Sequence, residues 1–232
     1  MKIALPFLSR PARVAVVRLA GTIAPAGRFG GGLNDHMLAP VIERAFAARP
    51  AAVALVVTSP GGSAVQSSVL AARIRRLAEA RAVPVHAFVE DVAASGGYWL
   101  ACAADDIWID ATSIVGSIGV ISASFGLHEV LARHGIERRV NTAGASKSFN
   151  DPFRPRTAED IARLDALLGP IHQSFSAHVR ARRGSRLAQG RDLFQGDVWV
   201  GQAAVATGLV DGIAHPEDKL RALYGSRVRL LR

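Results

Sequence analysis

Residues 52–89 read AVALVVTSPGGSAVQSSVLAARIRRLAEARAVPVHAFV, and this stretch decides the fold. Residues 52–58 form a continuous apolar run rich in valine, the mark of a strand covered on both faces rather than one lying half in water. The run stops at Ser59, Pro60, Gly61 and Gly62, which read as a tight turn. Ser63 is a helix-capping residue type, and Val65, Val69, Leu70, Ile74 and Leu77 then recur at helical spacing until Pro84 opens a second apolar strand over 85–89. A strand, a helix and a second strand in that order make the crossover unit of a parallel sheet, so the chain is α/β.

The same alternation continues outward. Residues 14–19 predict a strand. Gly30, Gly31 and Gly32 make a loose connection, and a helix starts at about Asp35 with Met37, Leu38, Val41, Ile42, Ala45 and Phe46 on one face. Downstream, an acidic turn leads into Ser95, Gly96 and Gly97, a short apolar helix and a strand over 107–109. Further strands are expected over 117–121 and 138–141, and helices over 126–134, 158–182 and 201–207. The length of 232 residues suits one domain, 1–232, with its core over about 14–215 and the segments 1–13 and 216–232 peripheral.

Half the residues are hydrophobic and 20% are charged, which supplies a sizeable core and argues against disorder. With one cysteine, Cys102, neither an internal disulfide nor a thiolate zinc site can form. Apolar runs are too short to span a membrane, and the apolar stretch of six residues within the N-terminal MKIALPFLSRPAR is shorter than a signal-peptide core, so a cytoplasmic location is expected. The net charge of +9 sits on the flanks: basic and acidic side chains number 7 and 2 over residues 1–50, 8 and 8 over 51–150, and 13 and 9 over 151–232. Nothing alternates basic and aromatic residues, and the densest cluster, Arg180, Arg182, Arg183 and Arg186, ends a helical segment where cations are favoured anyway. No nucleic-acid partner is expected.

Only 3 of the 28 basic side chains are lysine, so Lys147 stands out in a chain that uses arginine for plain surface charge. Arginine does not give up its proton, whereas a lysine can be made neutral and act as a base. Ser95, followed by two glycines at a strand-to-helix junction, is the natural partner: its hydroxyl is uncrowded and backbone N–H groups lie nearby. Taken alone, Ser95 reads as a helix cap and the turn 59–62 as only a turn. None of the 7 histidines falls in these motifs, and all read as structural or surface groups; Cys102 reads as a small core residue.

Together, the turn SPGG at 59–62, the segment VAASGGYWLACAADDIWIDATSIVGSIGV from Val92, the segment GASKSFNDPFRP around Lys147 and GRDLFQGDVWVGQAAVATGLVDG over 190–212 resemble the signal peptide peptidase A family of serine proteases. The resemblance implies the fold shared by Clp protease and crotonases, a spiral of ββα units, and a Ser/Lys dyad without histidine. It makes Ser95 the nucleophile and Lys147 the general base, places the oxyanion hole at the N–H groups of Gly62 and Gly96, and gives Ser117 the task of orienting the lysine. No metal or cofactor is implied. Activity is expected to rise with pH, since the lysine must lose its proton to act. Many relatives carry a membrane anchor and some repeat the domain in tandem; this sequence is expected to do neither, and to assemble as a homo-oligomer with its sites near protomer contacts. The expected substrates are peptides: cleaved signal peptides, cytosolic peptides, or membrane peptides met through a peripheral basic rim. Two competing readings share the fold: a crotonase-type acyl-CoA enzyme using Glu90 or Asp91 for proton transfer, and a catalytically silent scaffold.

Overall fold

The computed structural model describes residues 11–27, 32–144 and 146–231; Gly30 and Gly31 of the expected loose connection lie outside them. The chain divides into two compact units, one made of the described residues up to Gly119 and from Phe175 onward, the other Val120–Ser174.

The first unit is built on an eight-stranded sheet. Strands β1 (Arg13–Ala20), β2 (Ala52–Ser59) and β3 (Val85–Ala94) lie side by side in parallel, joined by helices α1 (Asp35–Ala47) and α2 (Ala64–Arg81). Every side chain of β2 except Thr58 is buried, as its unbroken apolar run requires. Strand β3 runs five residues beyond the apolar stretch 85–89. A register shift between Val57 and Ser59 of β2 absorbs its polar part, in which the Glu90 carboxylate accepts two hydrogen bonds from Arg18 at 2.6 and 3.2 Å. The long strand then serves two neighbours in turn. Residues 86–89 pair with β4 (Asp106–Ile109), and residues 92–94 with β5 (Ile114–Gly116). Beyond these lie β6 (Val198–Val200), antiparallel to β5, and the two-residue β7 (Gly212–Ile213), parallel to β4.

Alternate residues of the strands face opposite layers. Ala15, Val17 and Leu19 join a core with Ile42 and Phe46 of α1, Leu70 and Ile74 of α2, and the short α3 (Gly96–Ala101). Val14, Ala52, Ala54 and Phe88 face the other way, toward Leu220 of α7 (Pro216–Tyr224). The segment after residue 215 therefore contributes a covering helix and an edge strand, β8 (Arg229–Leu231), parallel to β1. His86 lies in this layer, its Nδ1 at 2.8 Å from Asp106 Oδ1 and its Nε2 at 2.7 Å from the Tyr224 hydroxyl. Helix α6 (Gly201–Thr207) follows β6.

The expected strand over 117–121 is displaced: the strand is β5, which ends at Gly116. Gly116 at φ 111° and Ser117 at φ 52° turn the chain out of the sheet, and the Ser117 N–H donates to the Asp197 carbonyl at 2.7 Å. Residues 138–141 form no strand, their polar and exposed backbone having no sheet edge to join. In the second unit, α4 (His128–Arg133) has no buried residue, and α5 (Ala158–Arg183) begins there and ends in the first. The terminal arginines of α5 are engaged: Arg183 donates to Asp211 at 2.7 Å and Arg182 to Asp105 at 3.0 Å. Among the described residues, no helix is long and apolar enough to cross a membrane.

Candidate active site

Strand β3 delivers Ser95. Its N–H donates to the Gly116 carbonyl at 2.8 Å, continuing the pairing of Ala94 with Gly116, so Ser95 and Ser117 leave two adjacent strand ends side by side. The backbone of Ser95 turns sharply, with φ 51° and ψ −122°, a conformation that costs a side-chain-bearing residue on the order of 1–3 kcal/mol. The packing of α3 holds it there. All six residues of α3 are buried, the Tyr98 hydroxyl donates to the Leu209 carbonyl at 2.6 Å, and the Trp99 ring stacks on Phe175 at 4.8 Å between centroids. His178 also stacks on Trp99, at 5.5 Å, and its Nε2 sits 3.2 Å from the Trp99 carbonyl; burial pushes its imidazole down to about 4.

The helix-cap reading of Ser95 does not hold: the residue occupies the cap position of α3, yet its side chain makes no capping hydrogen bond. Its half-buried hydroxyl is left for other work. The turn 59–62 is more than a turn as well. It lies directly against Ser95, since a Cβ built on Gly61 would fall 2.8 Å from Ser95 Cβ. Gly62, at φ 138°, cannot carry a side chain because a Cβ there would fall 2.0 Å from the Ile23 carbonyl oxygen. A Cβ on Gly96 would fall 2.3 Å from Ser67 Oγ and 3.4 Å from the Gly62 nitrogen, so the two glycine peptides lie next to each other. Among the described residues, neither the Gly62 nor the Gly96 N–H has an acceptor. Two adjacent unsatisfied donors beside an unbonded hydroxyl can hold an oxyanion while that hydroxyl attacks.

Four of the five residues singled out from sequence, Ser95, Gly62, Gly96 and Ser117, thus meet in the first unit. Lys147 belongs to the second. It sits on an exposed turn, its N–H donating to the Gly144 carbonyl at 3.2 Å. Arg154 fastens the segment just after it: the guanidinium donates to the Ser148 carbonyl at 3.2 Å and to Asp160 at 2.5 Å, and this pairing holds the Asp160 carboxyl well below the usual range. Sequence reading missed Ile23, Ser59, Ser67 and Asn34, which shape the loop bearing Gly62. Ser59 Oγ accepts the Gly61 N–H at 3.2 Å, and Ser67 Oγ donates to the Ser63 carbonyl at 2.9 Å. Their residue types signal only a turn, a core position or a cap, and their shared surroundings arise from strands distant in sequence. Cys102 is fully buried and its thiol is pushed by burial up to about 12, which suits a core residue and not a nucleophile. No cluster of metal-ligating side chains exists among the described residues.

An α/β sheet that presents a serine at a strained strand end, with paired amides beside it, offers the groups that acyl transfer at a carbonyl carbon would use. The chain belongs to peptidase family S49, whose signature matches residues 78–225, and it has the α/β fold of the Clp protease and crotonase group. It is 48% identical over 219 residues to a Brucella abortus protein named Na(+)/H(+) antiporter NhaA, covering 94% of this chain and 30% of that protein. It is 28% identical over 207 residues to the serine protease SPPA, chloroplastic, of Arabidopsis thaliana, covering 87% and 30%. To the "Probable protease SohB" of Haemophilus influenzae it is 31% identical over 166 residues, covering 72% and 46%. The chain spans roughly a third to a half of the length of these relatives.

Proposed function

We propose that the protein is a serine peptidase in which Ser95 attacks the substrate and Lys147 serves as general base. The observation that carries this reading is the Ser95 hydroxyl beside the N–H groups of Gly62 and Gly96, all three without a hydrogen-bond partner among the described residues. In the proposed cycle, neutral Lys147 takes the Ser95 proton as Oγ bonds to the peptide carbonyl carbon, and the carbonyl oxygen becomes an anion held by Gly62 and Gly96. Collapse breaks the C–N bond, and the lysine proton goes to the departing amine. A water then attacks the acyl-enzyme, giving its proton to Lys147, which passes it to Ser95 Oγ as the ester bond breaks. Ser117, beside Ser95 at the neighbouring strand end, is assigned to orient the lysine amine.

The substrates are peptides, cleaved signal peptides among them. The proposal includes a homo-oligomer in which a lysine of one copy can serve a serine of another. The second unit supports assembly through its exposed apolar side chains, with Ile121 and Phe125 at 86% and 84% exposure. Of the two carboxylates the acyl-CoA alternative could use, Glu90 and Asp91, the first is engaged by Arg18. The test is labelling with a fluorophosphonate probe, with peptide hydrolysis and particle mass measured on the same samples. The wild type is expected to label and cleave, and Ser95→Ala to do neither. Lys147→Ala and Lys147→Arg should lose turnover by at least about a hundredfold. Near-full hydrolysis by any of these variants refutes the dyad.

A further inference from the structure

The geometry points to Asn34 as a positioning residue for the oxyanion hole, acting through Leu33 and Ile23 on Gly62; this rests on the serine peptidase reading above. In an extended segment, successive peptide groups point to opposite sides. The Gly61 carbonyl accepts the Ile23 N–H at 2.8 Å and the Ser63 N–H donates to the Ile23 carbonyl at 2.8 Å, so both groups flanking Gly62 are turned toward Ile23. The Gly62 N–H is therefore directed away from Ile23, on the side where Gly96 lies. The direction of this donor is set by Ile23, whose side chain is itself buried, with Cδ1 3.3 Å from the Cβ position of Gly96.

Ile23 is held from its other edge by Leu33. The Leu33 N–H donates to the Thr22 carbonyl at 2.8 Å, and the Ala24 N–H donates to the Leu33 carbonyl at 3.1 Å, giving three parallel segments in the order Leu33, Ile23, Gly62. The outermost is fastened by Asn34, which is only 1% exposed. Its Oδ1 accepts the Met37 N–H at 3.0 Å, capping α1, and its Nδ2 donates to the Gly32 carbonyl at 2.8 Å. The adjacent Asp35 N–H donates to Gln66 Oε1 at 2.9 Å, tying the start of α1 to α2, which is capped by Ser63. Capping alone would be met as well by aspartate or serine. Asparagine caps the helix through Oδ1 and donates to the Gly32 carbonyl through Nδ2, a second bond that an ionised aspartate cannot make and that fixes the outer segment of the set.

Asn34→Asp and Asn34→Ser keep the cap and remove the Nδ2 donor, so they separate the two roles. Both are expected to melt within a few degrees of the wild type. Their kcat should fall about ten- to a hundredfold, with KM changed by less than about twofold, because the oxyanion forms only after substrate has bound. Amide hydrogen exchange should quicken at Ile23 and Ser63 in both variants, a readout that needs no substrate. Wild-type kcat and unchanged exchange in the two variants would overturn the assignment. The underlying reading fails separately: if Ser95→Ala hydrolyses peptides like the wild type, the site is not a serine peptidase, whatever the exchange at Ile23 shows.

Discussion

Acid should loosen the structure around α3 through one histidine. His178 packs between α5 and α3, stacked on Trp99, with its Nε2 3.2 Å from the Trp99 carbonyl. Burial, with a smaller contribution from Arg182, lowers its pKa from the usual 6.5 to about 4, opposed by the hydrogen bond to Trp99. A lowered folded-state value means that the fold prefers the neutral ring. The stability this contributes is complete above about pH 6.5 and is lost as pH falls toward about 4, where the unfolded chain takes up a proton that the folded chain refuses. Worked from those two values, the loss relative to pH 7 is about 2 kcal/mol at pH 5 and about 3 kcal/mol at pH 4. The lowered carboxylates, Asp105 and Asp211 among them, begin to add their own losses below about pH 5, equally in both proteins compared below. The assay is urea unfolding followed by tryptophan fluorescence at pH 7, 6, 5 and 4.5, on the wild type and on His178→Phe, which keeps the aromatic stack. The difference in unfolding free energy between the two should shift by about 2 kcal/mol in favour of the variant between pH 7 and 5. A difference that stays level across this range would refute the argument.

Other consequences are as direct. Gly96→Ala places a methyl group 2.3 Å from Ser67 Oγ, and the displaced peptide should cut kcat by at least about tenfold; Gly96→Ala combined with Ser67→Gly should recover part of the loss in the same kinetic assay. Leu220→Ala empties a fully buried position between α7 and the sheet and should cost about 2–5 kcal/mol in denaturant unfolding, which shows the segment after residue 215 to be part of the folded unit. Tyr98→Phe removes the 2.6 Å bond to the Leu209 carbonyl and should cost about 1–3 kcal/mol by thermal unfolding. Arg154→Ala frees the segment between Ser148 and Asp160 next to Lys147, and hydrolysis should fall by about tenfold or more while fold stability of the first unit, followed by its tryptophans, stays put.

The regular part of the fold was legible because periodicity reports burial. The unbroken valine run of β2 and the spacing of Leu70 and Ile74 in α2 each name their own environment, and the structure places them as read. Reading failed where polar residues meet irregular backbone. β3 extends past Val89 because its residues 92–94 pair with Ile114, Val115 and Gly116 of β5, and no window around Glu90 contains those partners. The strand lies over Ile114–Gly116 and not over 117–121 because the left-handed turn at Gly116 and Ser117 depends on Asp197. Of the site, the serine and the glycines announce themselves through residue type. Asn34 and Ile23 do not, since one looks like any cap and the other like any core residue.

What the sequence determined alone is therefore the local chemistry: which segments must be buried, where the chain turns, and which side chains could attack or accept a proton. Tertiary structure decided whether those groups are available. Ser95 at a helix start could have spent its hydroxyl on a cap, and Gly62 its N–H on a neighbouring strand. That both remain free among the described residues comes from the strained turn after β3 and from Ile23 holding the flanking peptides, contacts between segments far apart along the chain. Residue types state what a group can do; only the paths of the other strands leave its hydrogen bonds unmade.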